Sequence, residues 1–156
     1  MYNPETIKDI QSTLEEYKDA IDSERITPLA LSDYLVTKPW GSEQWLDLTE
    51  FYAFKVIKMK KGCQSSLQSH DYKVEANYVI EGIAEVLLED ENGELQSYVF
   101  NAGSGWTVPV GKKHRVIAIT DYTALEVSSP NLNDVIRYND EFGRGNGKID
   151  GEHEAR

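Results

Sequence analysis

The sequence predicts one all-β domain, an antiparallel barrel or jelly roll, preceded by an amphipathic α-helix. Three observations carry that expectation. From Glu43 onward, β-branched and aromatic residues fall into short segments bounded by turn residues. No helix-length periodic stretch interrupts those segments. At 156 residues the chain is most simply a single domain, with a core large enough to fold without disulfide staples.

Taken in order, Asn3 and Pro4 form a helix start, a capping side chain followed by a proline whose missing N–H costs nothing. Ile7, Ile10, Leu14, Tyr17 and Ile21 then lie on one helical face, which predicts a helix over residues 4–21. Asp22 to Pro39, passing through Pro28, reads as an irregular link. Strands are expected at Phe51–Met59, Asn77–Ile80, Ala84–Leu88, Ser97–Phe100, Val116–Ile119 and Ala124–Val127. Glu91-Asn92-Gly93 reads as a tight hairpin turn between two of them. After Arg144 the chain is Gly-rich and acidic, the composition of a disordered tail. The expected organisation is helix and linker over 1–36, β domain over 37–144 and tail over 145–156.

Formal net charge is -11, and no Lys/Arg run is long enough to track phosphates. Nucleic acid is therefore not an expected partner. A small anionic substrate remains compatible, because a metal and a few local cations override the global field. The single Cys63 excludes an intramolecular disulfide and a Cys-rich zinc site. No apolar stretch reaches membrane-spanning length, and the polar opening MYNPETIKDI does not read as a signal peptide. A cytoplasmic protein with no membrane partner is the resulting expectation. The apolar stripe of the helix needs a cover, either the barrel or a second subunit, and a homodimer is expected on that ground.

The most informative stretch runs from Gly62 to Gly82. It delivers Gln68, His70 and Glu75, and His114 follows some forty residues later; two of the chain's three histidines belong to this set. Gln68 and His70 are two apart and share a face in a strand. Glu75 can rejoin that face after a turn, and Pro109 and Gly111 make a turn that feeds His114 into the next strand. Two imidazoles, a carboxylate and an amide suit one divalent ion: zinc, manganese, cobalt, nickel or iron(II). One carboxylate leaves such an ion a net charge of +1, so it stays a Lewis acid toward substrate oxygens.

These two glycine-framed blocks resemble both signatures of the cupin superfamily. The first normally reads Gly-x5-His-x-His-x3/4-Glu-x6-Gly and stands here as Gly62, Gln68, His70, Glu75, Gly82. The second normally reads Gly-x5-Pro-x-Gly-x2-His-x3-Asn and stands as Gly103, Pro109, Gly111, His114, ending in Ala118. Further motifs are similar to type II phosphomannose isomerases and the isomerase half of bifunctional mannose-1-phosphate guanylyltransferases. These are Lys38-Pro39-Trp40-Gly41-Ser42, the strand Lys55 to Gly62, Ser66-Leu67-Gln68-Ser69-His70, and the closing stretch Asp134 to Arg144. The chain departs from that family at Lys73 (normally Arg), Asn77 (normally Trp) and Ser128 (normally Gln), beside the ligands where substrate identity is decided.

The resemblance implies a cupin barrel, a metal held by Gln68, His70, Glu75 and His114, and aldose–ketose isomerisation of a sugar phosphate through a cis-enediol. A base must then move a proton between C1 and C2. Lys73, two residues before Glu75, is the first candidate if the neighbouring cation lowers its pKa; otherwise it neutralises Glu75 or binds a substrate oxygen. The family match gives Arg137 a substrate contact. Lys55 and Arg144 read as phosphate ligands or plain surface charges, and Asn77 as a substrate contact. Trp40 and Trp106 read as an apolar wall or as core, and His153 falls in the tail with no role. Two other functions fit the residues. One is a non-catalytic metal-containing cupin that binds a sugar or small metabolite. The other is an iron oxygenase with a two-His-one-carboxylate face, against which Gln68 argues by filling an open position.

Overall fold

A computed structural model of the chain describes residues 34–153. The helix expected over residues 4–21 lies outside the described residues. The described chain forms strands β1 (Leu35–Lys38), β2 (Gly41–Leu48), β3 (Ala53–Met59), β4 (Leu67–Ser69), β5 (Glu75–Glu81), β6 (Ile83–Glu89), β7 (Leu95–Asn101), β8 (Gly105–Val108), β9 (His114–Ala118), β10 (Tyr122–Ser128) and β11 (Ile136–Asn139). They build two antiparallel sheets, ordered β1-β2-β3-β10-β5-β8 and β11-β4-β9-β6-β7. This is the all-β jelly roll that the spacing of turn residues predicts. No helix among the described residues is long and apolar enough to cross a membrane.

The inner face of the larger sheet explains where chemistry can sit. On β3 the inward residues run Ala53, Lys55, Ile57, Met59, and on β10 they run Tyr122, Ala124, Glu126, Ser128. The register pairs Tyr122 with Met59 and Ala124 with Ile57 and Val79, giving one apolar end. It pairs Glu126 with Lys55 and Asn77, and Ser128 with Glu75, giving one polar end. The facing sheet repeats the division, with His114 at the polar end of β9 and Ala118 in the core. Trp40, Trp106, Val79, Val86 and Val108 complete the apolar half. A barrel with such a graded interior holds itself together at one end and offers a lined cavity at the other.

Turns fix the register. In the β6–β7 hairpin Gly93 takes φ +84°, and the Asp90 carboxylate accepts the N–H groups of Asn92 and Glu94 at 2.8 and 3.0 Å. At the β5–β6 turn Gly82 has φ +86°, and a Cβ there would stand 2.0 Å from the Asp121 carbonyl oxygen, so the position requires glycine.

Two expectations need correction. The link expected from Asp22 to Pro39 contains β1, which owes its strand form to its partner. Lys38 pairs with Gly41 and Leu35 with Gln44, and the four residues are too few to show a period of their own. The tail expected to be disordered from residue 145 is folded as far as His153. A 3-10 turn at Asp150–Glu152 carries Glu152 into the domain, where it is 9% exposed. The acidic composition that suggested solvation is neutralised locally, by Lys38 and Arg144.

Candidate metal centre and the cavity beside it

Both sheets contribute to the site. Gln68 lies on β4 and pairs directly with His114, the first residue of β9. His70 follows the end of β4, and Glu75 opens β5 in the opposite sheet. Candidate ligand atoms of His70, Glu75 and His114 all lie within 4.8 Å of one another, and all three residues are buried. The backbone ties the two halves together, because the Gly111 N–H donates to the His70 carbonyl at 2.7 Å.

Each imidazole has its orientation fixed from behind. The His70 Nδ1 contacts the backbone carbonyl of Asp134, and the His114 Nδ1 lies 3.3 Å from the Lys112 carbonyl. A carbonyl only accepts, so both Nδ1 atoms carry a proton, and each ring in its metal-binding form turns an Nε2 lone pair inward. Those Nε2 atoms stand 3.5 and 3.4 Å from the two oxygens of Glu75. The His70 Nε2 is buried and makes no hydrogen bond. Lone pairs aimed at a carboxylate at this distance repel unless a cation lies among them, so the donor set fits a divalent metal. His70, Glu75 and His114 would hold it.

Gln68 is beside this cluster with its amide turned. Its Oε1 accepts from the Ser66 hydroxyl at 2.7 Å, and its Nε2 lies 3.4 Å from the His114 Nε2. Rotating the amide by half a turn presents Oε1 to the cluster, and Ser66 can then accept instead of donate. The position fits a fourth ligand after that exchange.

Of the two roles expected of Lys73, its surroundings show the ion pair with Glu75. Its ammonium lies 2.6 Å from Glu75 and 3.9 Å from Glu126. Burial favours the neutral amine, but Glu75 and then Glu126 outweigh it, and the net shift is upward. Glu75 is held well below the usual carboxylate range. Burial opposes its ionisation, and Lys73 foremost overcomes that.

From Glu75 an alternating row of charges crosses the cavity. Lys55 sits 3.3 Å from both Glu126 and Glu43, and over the Trp45 ring at 5.4 Å. Lys38 continues the row to Glu43 at 3.4 Å and Glu152 at 2.7 Å, and Arg144 closes it on Glu152 and Asp140. Lys55 and Arg144 are therefore not surface charges: Lys55 is 5% exposed and the Arg144 side chain 8%. Asn77 faces the same cavity, its amide donating to Glu75 at 3.5 Å. Arg137, paired with Gln68 across β11 and β4, donates Nη1 to the carbonyls of Gly145 and Gly147. Trp40 lines this cavity of about 110 Å³, while Trp106 packs in the core against Phe100. His153, expected to be idle, packs edge-on to Trp45.

Sequence reasoning missed Asp134 as the organiser of the ligand loop. Its carboxylate accepts the N–H groups of Asp71, Tyr72 and Lys73 at 3.0, 2.7 and 2.8 Å. It also missed Tyr122, whose buried hydroxyl lines the cavity without a partner. Asp134 is sixty-odd residues from the loop it holds, and no local spacing reveals that.

A jelly roll whose one polar end gathers two histidines and a glutamate is a cupin. The chain belongs to the mannose-6-phosphate isomerase C-terminal family, whose model matches residues 30–140. It is 27% identical over 143 residues to the xanthan biosynthesis protein XanB of Xanthomonas campestris, covering 88% of this chain and 28% of that protein. It is 26% identical over 147 residues to mannose-1-phosphate guanylyltransferase of Salmonella montevideo, covering 91% of this chain and 29% of that one. The chain thus spans less than a third of the curated relatives it matches. In fold it is similar to an oxalate decarboxylase of Bacillus subtilis, with a TM-score of 0.62 at 22% identity over 74% of this chain and 34% of the other.

Proposed function

We propose that the chain is a metal-dependent aldose–ketose isomerase acting on a sugar phosphate, with mannose 6-phosphate the first substrate to test. The observation that carries this reading is the convergence of His70, Glu75 and His114 beside a charge-lined cavity, in a chain of the mannose-6-phosphate isomerase C-terminal family. A divalent ion bound there would supply Lewis-acid stabilisation to the oxygens at C1 and C2. The chain's own groups divide the remaining work. Lys73 stays charged and donates a hydrogen bond to a substrate oxygen. The base role passes to Glu126, a buried carboxylate that faces the cavity within reach of Lys73, and it moves the proton between C1 and C2. Arg137 has an Nε that is buried without an acceptor, and it offers this to the substrate. Asn77, in place of the family's tryptophan, opens polar contacts to a hydroxyl.

The test is ketose formation from a panel of aldose phosphates with each divalent metal in turn. Glu126→Gln should lower turnover by a factor of about 100 or more while leaving bound metal unchanged, in line with loss of a general base. Unchanged turnover in that variant refutes the role given to Glu126.

A second reading is favoured by one observation: each lysine facing the cavity already has a carboxylate partner within 4 Å. Such a site suits a non-catalytic metal-containing cupin that recognises a sugar or small metabolite. Saturable sugar binding, with no turnover under any metal, selects it.

A further inference from the structure

Glu152 is the acidic residue that the proposed chemistry does not use and that the fold nevertheless buries. It stands on a three-residue 3-10 turn without a side-chain cap. Its two oxygens are divided between two cations: Oε2 accepts from Lys38 at 2.7 Å and Oε1 from Arg144 at 3.0 Å. Lys38 ends β1, and Arg144 lies beyond β11, so opposite ends of the domain converge on one carboxylate.

Neither cation depends on Glu152 for its position. Lys38 also pairs with Glu43 at 3.4 Å, and Arg144 with Asp140 at 2.7 Å. A third cation, Arg137, lines the same cavity with its Nε buried and without an acceptor. Removing Glu152 would leave three cations facing two carboxylates, all still anchored.

The segment that brings Glu152 in is lightly attached. Gly147 precedes it at φ +73°, and its own N–H donates to the Val135 carbonyl at 2.8 Å. Beyond it, the strap Lys148–His153 is held by Glu152 and by His153, whose Nδ1 lies 3.0 Å from the Tyr34 hydroxyl. The Lys148–Asp150 pair within it is at 3.6 Å and exposed.

We propose that Lys38, Arg144 and Arg137 form an oxyanion subsite which Glu152 fills from within the chain, and that a phosphate monoester binds there by displacing Glu152 and its strap. A carboxylate uses two oxygens against Lys38 and Arg144. A phosphate dianion has a third oxygen for the Arg137 Nε and twice the charge, so it competes for the same cations. The identity of the rest of the ligand rests on the sugar-phosphate reading of the cavity; the subsite does not.

Calorimetric titration of the full chain with inorganic phosphate, mannose 6-phosphate, mannose and glucuronate tests this, for the wild type and for Glu152→Gln. Glu152→Gln is expected to tighten inorganic phosphate and mannose 6-phosphate tenfold or more and to leave mannose unchanged. Equal or weaker phosphate binding by the variant overturns the proposal, and equal tightening of glucuronate overturns the preference for phosphate. Hydrogen exchange on the wild type provides a readout that needs no variant. Saturating phosphate should speed exchange at residues 148–153, and unchanged or slower exchange contradicts displacement. Binding requires no turnover, so an inactive protein leaves the subsite standing, and a chain that ignores phosphate leaves the metal cluster standing.

Discussion

The backbone carbonyl of Asp134 holds the Nδ1 of His70, while the side chain of the same residue gathers the three N–H groups that follow His70. One residue therefore aims a candidate ligand and shapes the loop that carries it to Glu75. Burial pushes the Asp134 carboxyl up, but the N–H groups of Tyr72, Asp71 and Lys73 prevail and keep it below its usual range. Asp134→Ala should lower stability by about 2 kcal/mol, as expected for hydrogen bonds to a charged acceptor. It should also weaken metal retention more than stability, and urea denaturation with metal analysis on the same samples checks both.

Metal should stabilise the fold. His70 comes from the loop after β4, Glu75 from β5 and His114 from β9, so an ion that binds only the folded chain joins both sheets. At a free metal concentration 100 times Kd the gain is about 2.7 kcal/mol. Thermal unfolding with and without chelator should show a rise in Tm with metal in the wild type and none in His114→Ala. An equal rise in that variant contradicts the assignment.

Stability of the metal-free protein should fall in acid. Glu43 is lowered from 4.5 to about 2: burial opposes its ionisation, and Lys55, Lys38 and Lys73 overcome that. Glu75 is lowered as well. In the window from 4.5 down toward 2 the unfolded chain binds more protons than the folded one, so stability rises with pH there. The contribution is fully present above 4.5 and lost as pH falls toward the folded value. Denaturation between pH 6 and pH 3 in chelator should show that slope, and Glu43→Gln should flatten it.

Gly82→Ala should cost roughly 2 kcal/mol or more, because the added Cβ meets the Asp121 carbonyl at 2.0 Å and φ is +86°. The loss should appear in the urea midpoint without a change in bound metal.

The strands that the sequence revealed are those long enough to display alternation, such as Tyr122–Ser128. Those it hid are β1, β4, β8 and β11, of three or four residues each, and the eight-residue β2, whose burial does not alternate; all take their form from a partner. Gln68, His70, Glu75 and His114 were legible because glycines and a proline set their spacing. Lys73 stayed open between base and partner of Glu75, because its second partner, Glu126, reaches it only through the pairing of β5 with β10. Glu152 was hidden for the same reason: an acidic tail looks solvated until Lys38 and Arg144 are seen to meet on it.

The central claim is that this site moves a proton between C1 and C2 of an aldose phosphate. Its most direct test is proton NMR of mannose 6-phosphate incubated in deuterium oxide with the metal-loaded protein. The account predicts deuterium at C2 together with ketose formation, both abolished in His70→Ala. Stoichiometric metal in the wild type with no exchange at C2 would contradict it.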